Sequence, residues 1–379
     1  MASLNKPEES LLENPYIGPR TFQPSEAHKF FGRAREARNL IGLIISHRLV
    51  LFYAQSGSGK SSLINAKLIP GLTDEGFEVL PVGRVSGSNG LTINTENIFV
   101  YNLISSLHQE KKEQPGFPQF SLSEFLDNLV QKDGKFLYDE QHVYADEVEL
   151  KPRVLLIDQF EEILTTNTPF WKERESFFQQ LGDALEMDDQ LWIVLAMRED
   201  FIAGLDPYHH CLPDGLQTRF YMQQLDRRSA MMAIKNPAEI GKRPFAPGAA
   251  EILVDNLREI RREETAGEKL LGEYVEPVQL QAVCYQMWEK LKTIPGKQIS
   301  VEDVDKFADV NTALINFYED TVADTVANTA VSEPDLRNWF STNLITEAGT
   351  RNMVYRGDDE TGGLPTPIAA SVKNKFILR

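Results

Sequence analysis

Cysteine is scarce. Cys211 and Cys284 are the only two in 379 residues. Two such distant thiols form neither a disulfide framework nor a cysteine-based metal spacing, so a reducing cytoplasm is the expected compartment. No apolar run approaches the ~18 to 20 residues of a membrane span. The opening stretch MASLNKPEESLLENPYIGPR lacks the basic-then-apolar order of a secretory signal. Positive charge is also short, with 39 Lys and Arg against 56 Asp and Glu and a net charge of −17. A field of that sign repels a duplex, so nucleic acid is not the expected partner. Internal repeats and low-complexity tracts are absent. What remains is ordinary for a globular protein, 42% apolar and 25% charged, and the length suggests two or three domains.

Strands and helices alternate through the first part of the chain. Ala37, Leu40, Ile41, Ile44 and Ile45 recur at helical spacing and predict a helix over 36–45. Strands are predicted at 49–53, 77–85, 153–158, 191–197 and 219–225, and helices over 96–108 and 121–131. A further helix carries Phe177, Phe178, Leu181 and Leu185 on one stripe, and 132–152 reads as an irregular acidic insertion. Continuous apolar strands such as RVLLI are those of a parallel sheet covered on both faces, so the fold class is α/β. After Asp226 strands nearly vanish. Helices are predicted at 226–236, 248–262, 277–292 and 301–328. A helix near 334–346, a turn-rich stretch over 350–365 and a closing helix at 367–377 fit part of a winged-helix unit.

Between the strand at 49–53 and the next helix stands AQSGSGKS, Ala54 to Ser61. It fits G-x-x-x-x-G-K-[ST] except that Ala54 replaces the first glycine, where a small residue also fits. In such a bend successive backbone N–H groups wrap a β-phosphate, and Gly57 and Gly59 supply dihedrals that a Cβ would forbid. Gln55, Ser56, Gly57, Ser58, Gly59, Lys60, Ser61 and Ser62 are therefore the candidate nucleotide-binding residues. Lys60 reaches the β- and γ-phosphates and the Ser61 hydroxyl ligates Mg²⁺. The alternative is a flexible strand–helix turn.

A nucleotide site of this kind needs an acid on a neighbouring strand, and VLLIDQFEEIL supplies Asp158 at a strand end. Either Glu161 or Glu162 can polarise the attacking water, and spacing alone does not choose between them. Equally, these acids could only complement a helix N-terminus. Arg198 follows a buried strand directly and Arg219 opens the next, so either can approach a γ-phosphate, or, for Arg219, act across a subunit boundary. The plainer reading of Arg198 is a surface pair with Glu199 or Asp200.

Taken in order, NPYIGPRTFQPSEAHKFFGRAREARNL, the phosphate loop, LINAKLIPGL, LLIDQFEEIL, AMREDF and LQAVCYQMWEKL resemble the signal-transducing STAND P-loop ATPases, in particular the novel STAND group found mostly in bacteria. That resemblance implies a P-loop NTPase core of the ASCE/AAA-like kind, followed by a helical lid and a winged-helix-like unit. On it the chain divides into a loose 1–14, a nucleotide-binding 15–225, a lid 226–298 and a winged-helix unit 299–379, possible truncation included. It implies an ATP/ADP switch with Mg²⁺, self-association in the ATP state, and trigger and effector proteins of unknown identity in a signalling or defence response. It places Phe31, Gly32 and Arg33 beside the adenine and ribose, and Pro277 against the base. One departure stands out: many STAND switches put a winged-helix histidine on the ADP phosphate, and this chain has no histidine beyond His210. Two other readings stay open. A DNA-acting initiator or helicase loader is disfavoured by the acidic YRGDDETGG wing, and a nucleotide-binding module without turnover would leave both glutamates dispensable.

Overall fold

The computed structural model describes residues 13–87, 95–109, 119–139, 151–260, 270–344, 360–365 and 368–369. The apolar run Leu49–Ala54 forms strand β1 and is joined in parallel by β2 (Glu78–Val79), β3 (Arg153–Ile157), β4 (Leu191–Arg198) and β5 (Arg219–Tyr221). Their order is β2-β3-β4-β1-β5, so β4 stands between the strand leading to the phosphate loop and the strand leading to Asp158. Continuous apolar strands demand cover on both faces. One face packs on α3 (Ile98–Leu107) and α4 (Glu173–Met187), the other on α1 (Ala34–Ser46) and the helix starting as α2 (Lys60–Leu63). α2 continues through a π turn, Ile64–Leu68, into Ile69–Asp74. This is the α/β P-loop NTPase architecture, and it sets Lys60 and Asp158 at the same carboxyl edge.

A second apolar core gathers α5 (Arg227–Ile240), α6 (Ala249–Leu257) and α7 (Pro277–Leu291) around Trp288. Residues 14–22 run as a strap from this core to the phosphate-loop helix. Asn14 donates to Glu289 Oε1 (2.9 Å), the buried Tyr16 hydroxyl to the Ile234 carbonyl (2.6 Å), and the Phe22 N–H to Ser62 Oγ (3.2 Å). Pro15 and Pro19 fit an extended strap because proline restricts both itself and the residue before it. A third small cluster joins Val322, Leu336, Trp339 and Phe340.

Several local expectations are corrected. The stretch 77–85 pairs only at Glu78–Val79 and again at Gly83, because Pro81 has no N–H to offer. The helix expected over 121–131 stops at Asp127. Leu129–Lys132 instead pairs with Lys135–Tyr138 across a turn in which Asp133 (φ 51°) and Gly134 (φ 75°) are left-handed, a hairpin signal present in the sequence. The stretch 219–225 is not one strand: β5 ends at Tyr221, and β6 (Leu225–Asp226) pairs antiparallel with β7 (Tyr274–Val275). The helix expected over 248–262 ends at Leu257, and Glu259–Ile260 pairs with Leu270–Leu271. The helix expected over 301–328 is two, Val301–Phe307 and Val310–Asn328, since Asp309 caps the second by accepting from the Thr312 N–H. Part of the expected wing and most of the closing helix lie outside the described residues, within which Glu360–Thr361 pairs with Leu364–Pro365. Among the described residues no helix is long and apolar enough to cross a membrane.

Candidate nucleotide site

β1 ends at Ala54 and the chain bends through Gln55–Gly59 into α2. Gly57 (φ 76°) and Gly59 (φ 94°) hold left-handed dihedrals that a side chain would strain, and the Ser58 hydroxyl closes the turn by donating to the Gln55 carbonyl (2.6 Å). The buried Lys60 ammonium folds back over the bend and donates to the carbonyls of Ala54 (3.0 Å) and Gln55 (3.1 Å). Lys60 therefore lies over the loop it is meant to serve. Arg33 reaches the same loop, its Nη2 donating to the Ser58 carbonyl at 3.0 Å.

Two strand spacings of ~4.8 Å separate the ends of β1 and β3, so contact between their following loops needs convergent side chains. Ser61 provides it: its Oγ donates to Asp158 Oδ2 at 2.6 Å. The other carboxylate oxygen, Asp158 Oδ1, is buried without a hydrogen-bond partner. A hydroxyl beside a carboxylate with a vacant buried oxygen is the hard-oxygen donor set that Mg²⁺ takes, so these two residues fit that ion. Gln159 follows with φ 56°, a left-handed non-glycine residue, before the Phe160 N–H anchors on the Ala196 carbonyl (2.9 Å).

The two glutamates differ in surroundings. Glu162 accepts the Ser86 hydroxyl and lies 3.7 Å from Arg84 Nη1. Glu161 accepts the Arg198 N–H at 3.2 Å, and the Lys60 ammonium acts on it electrostatically. Burial pushes the Glu161 carboxyl above the ordinary range, against the pull of its own backbone N–H and Lys60. Through Lys60, Glu161 shares the electrostatics of the phosphate loop.

The other expected residues divide. The Arg198 side chain turns to Asp200 (Nε to Oδ2, 3.0 Å) and stacks on Phe201 (5.3 Å), the surface pairing left open above. Arg219 pairs in register with Leu51, three residues short of the sheet edge or ~10 Å back along the strand, and donates to the Leu216 carbonyl (2.9 Å). The structure does not bring it to Lys60 and Asp158. Gln55 is exposed and accepts from Gln224 (3.0 Å), while Ser62 receives the strap.

Beside the loop opens a cleft. Phe31, Arg33, Gly57, Ser58, Gly59 and Pro277 line it, so the FGR segment and the proline that starts α7 face one space. Gly32 sits against α5: a Cβ there would come 2.4 Å from the Ser229 carbonyl oxygen. Sequence reasoning missed Pro19, Phe22, Lys29, Leu225 and Val278, which also line the cleft. The two prolines of the strap were an available signal for the first two. Leu225 and Val278 carry none, since only the packing of α7 brings them there.

A family model described as Novel STAND NTPase 1 matches residues 15–351. Among curated proteins none matches significantly. Solved structures of similar shape include a Walker-type ATPase of Pyrococcus abyssi, 14% identical, covering 93% of this chain and 98% of that one at a TM-score of 0.47. The ORC2 protein of Aeropyrum pernix in its ADP form is 15% identical, with 97% and 89% covered and a TM-score of 0.47. The ORC1 protein of the same organism, in complex with DNA, is 12% identical, with 79% and 69% covered and a TM-score of 0.46.

Proposed function

The chain belongs to the Novel STAND NTPase 1 family, and from that premise we propose that it is an ATP/ADP switch whose slow, Mg²⁺-dependent hydrolysis sets the lifetime of a self-associated state. The observation that carries this reading is the Ser61–Asp158 contact, with its buried Oδ1 left without a hydrogen-bond partner. The backbone N–H groups of Gln55–Ser62 receive the β-phosphate, and Lys60 moves from the Ala54 and Gln55 carbonyls to the phosphate oxygens. The base enters the cleft between Phe31–Arg33 and Pro277. Ser61 and Asp158 hold Mg²⁺, which when bound supplies positive charge to the phosphates.

Glu161 is the base of choice. Its carboxyl accepts the Arg198 N–H and feels the charge of Lys60, and it takes the proton of the attacking water. Glu162 orients Arg84, whose Nη1 also approaches the Asp158 carbonyl at 3.5 Å. Residues 226–298 act as the lid, because the strap and Gly32 tie them to the phosphate loop, and residues 299–379 form the winged-helix-like unit. The cellular setting is a cytoplasmic signalling or defence response with protein triggers and effectors.

Light scattering in ADP and in a non-hydrolysable ATP analogue tests this. The analogue is expected to raise the mass of the wild-type protein and to leave Lys60→Ala unchanged. Nucleotide binding with no change of mass would retain the ATPase and discard the switch; no nucleotide binding at all would discard both.

A further inference from the structure

Away from the cleft, the 3-10 segment Glu199–Cys211 ends against α4 and brings three unlike donors together. His210 Nε2 lies 3.5 Å from Glu175 Oε1 and 3.5 Å from Cys211 Sγ, and the three donor atoms all lie within 4.8 Å of one another. One ring nitrogen facing both a carboxylate and a sulfur is a convergence that a simple ion pair does not need. Among the described residues, no other three such side chains gather this closely.

The spacings decide what could sit there. Zinc bonds of ~2.0 to 2.3 Å at tetrahedral angles separate a nitrogen and a sulfur ligand by about 3.6 Å, and a nitrogen and an oxygen ligand by about 3.4 Å. Two edges of the triangle already match. The third closes by rotation of Glu175, whose side chain is 57% exposed and free to swing. Packing holds the rest in place. A Cβ on Gly182 of α4 would lie 2.2 Å from the Cys211 carbonyl oxygen, and Phe178 stacks on Tyr208 at 4.7 Å, so the segment and the helix meet at a fixed distance. Glu175, Phe178 and Gly182 fall on one helical face.

We propose that Glu175, His210 and Cys211 form a surface site for a zinc-class divalent cation, which pins the end of the segment following Arg198 onto α4. Imidazole, thiolate and carboxylate suit a borderline-soft ion, whereas Mg²⁺ prefers all-oxygen donors, so the site and the Asp158 site select different metals. Binding replaces the thiol proton, released to solvent, with a metal–sulfur bond. Three protein ligands leave the fourth position to water. The proposal is independent of the nucleotide reading.

Cobalt(II) titrated into the metal-stripped full chain, followed by zinc, tests it. One equivalent of cobalt is expected to produce sulfur-to-metal charge-transfer absorption, which zinc then abolishes while raising the melting temperature. Cobalt at Ser61 and Asp158 has only oxygen ligands and gives no such band, and Cys284 is fully buried. Cys211→Ser should lose the band; His210→Ala and Glu175→Gln should weaken cobalt binding by about tenfold or more. The side chains of Glu175 and His210 are exposed, so these two variants test the site even if Cys211→Ser folds poorly. A wild-type protein without the band, or variants that bind as the wild type does, would overturn the site.

Discussion

Arg33, only 3% exposed, donates from Nη2 to the Ser58 carbonyl at 3.0 Å while its Nη1 lies 3.4 Å from Glu36. The residue that precedes α1 thus grips the phosphate loop from behind. Burial lowers the proton affinity of this guanidinium and Glu36 raises it again, so the loop contact is made by a partly desolvated charge. A hydrogen bond from a charged group is worth ~1.5 to 3 kcal/mol. Arg33→Ala should therefore weaken nucleotide binding by roughly ten- to a hundredfold in calorimetry. Arg33→Lys should not restore it, since one ammonium cannot reach Ser58 and Glu36 as the fork does. Undiminished affinity in Arg33→Ala would show that the loop holds its shape alone.

Gly32 has φ 86°, and any Cβ there meets the Ser229 carbonyl at 2.4 Å. Gly32→Ala combines dihedral strain with overpacking against α5, and a loss of about 1 to 3 kcal/mol is expected. The urea midpoint measures it. A midpoint equal to wild type would mean that α5 moves aside freely, contrary to a close seat of the FGR segment on that helix.

Lys60 and Asp158 serve different partners and should fail differently. Lys60→Ala should abolish nucleotide-induced thermal stabilisation, with or without Mg²⁺. Asp158→Ala should keep the affinity measured in a chelator and lose the increment that Mg²⁺ adds. If Asp158→Ala retains that increment, the ion is held elsewhere.

Glu161→Gln is expected to retain ATP and slow hydrolysis by about 10² to 10⁴, whereas Glu162→Gln should slow it less than about tenfold. Stability gives a second readout, without nucleotide. Burial chiefly, with Asp158 and Glu162 behind it, raises the Glu161 carboxyl in the fold. The folded state then holds that proton more tightly than the unfolded chain. Stability falls as pH climbs from the unfolded carboxyl value, about 4.3, through the raised folded value, and is level above it. Glu161→Gln removes this loss. Its melting-temperature advantage should be least in acid, grow across that window and then stay constant; an advantage that shrinks with rising pH would reverse the assignment.

The sheet and the phosphate loop were legible because their signals are local. Continuous apolar runs name buried parallel strands, and a glycine-rich bend between a strand and a helix names an anion seat. Asp158 was legible as an acid at a strand end. Ser61 was legible from the phosphate-loop pattern as a second oxygen donor, and the fold sets its contact with Asp158. The sequence erred where neighbours outweigh local preference. Residues 219–225 read as one strand, yet Leu225–Asp226 leaves the sheet to pair with Tyr274–Val275. Arg198, following one strand, and Arg219, opening the next, both suit a γ-phosphate by position in the sequence, and register separates them. The Asp133–Gly134 turn was a local signal passed over.

By itself, then, the sequence determined the alternation of elements, the anion-binding bend and the acid that answers it, because each depends on residues within one turn or strand. Tertiary structure decided that Ser61 Oγ meets Asp158, that the strap of residues 14–22 joins the second apolar core to α2, and that Glu175 meets His210 and Cys211. Those outcomes depend on strand order and on how helices seat over the sheet. Such contacts join residues far apart in the chain, and no short window of sequence carries the distance between them.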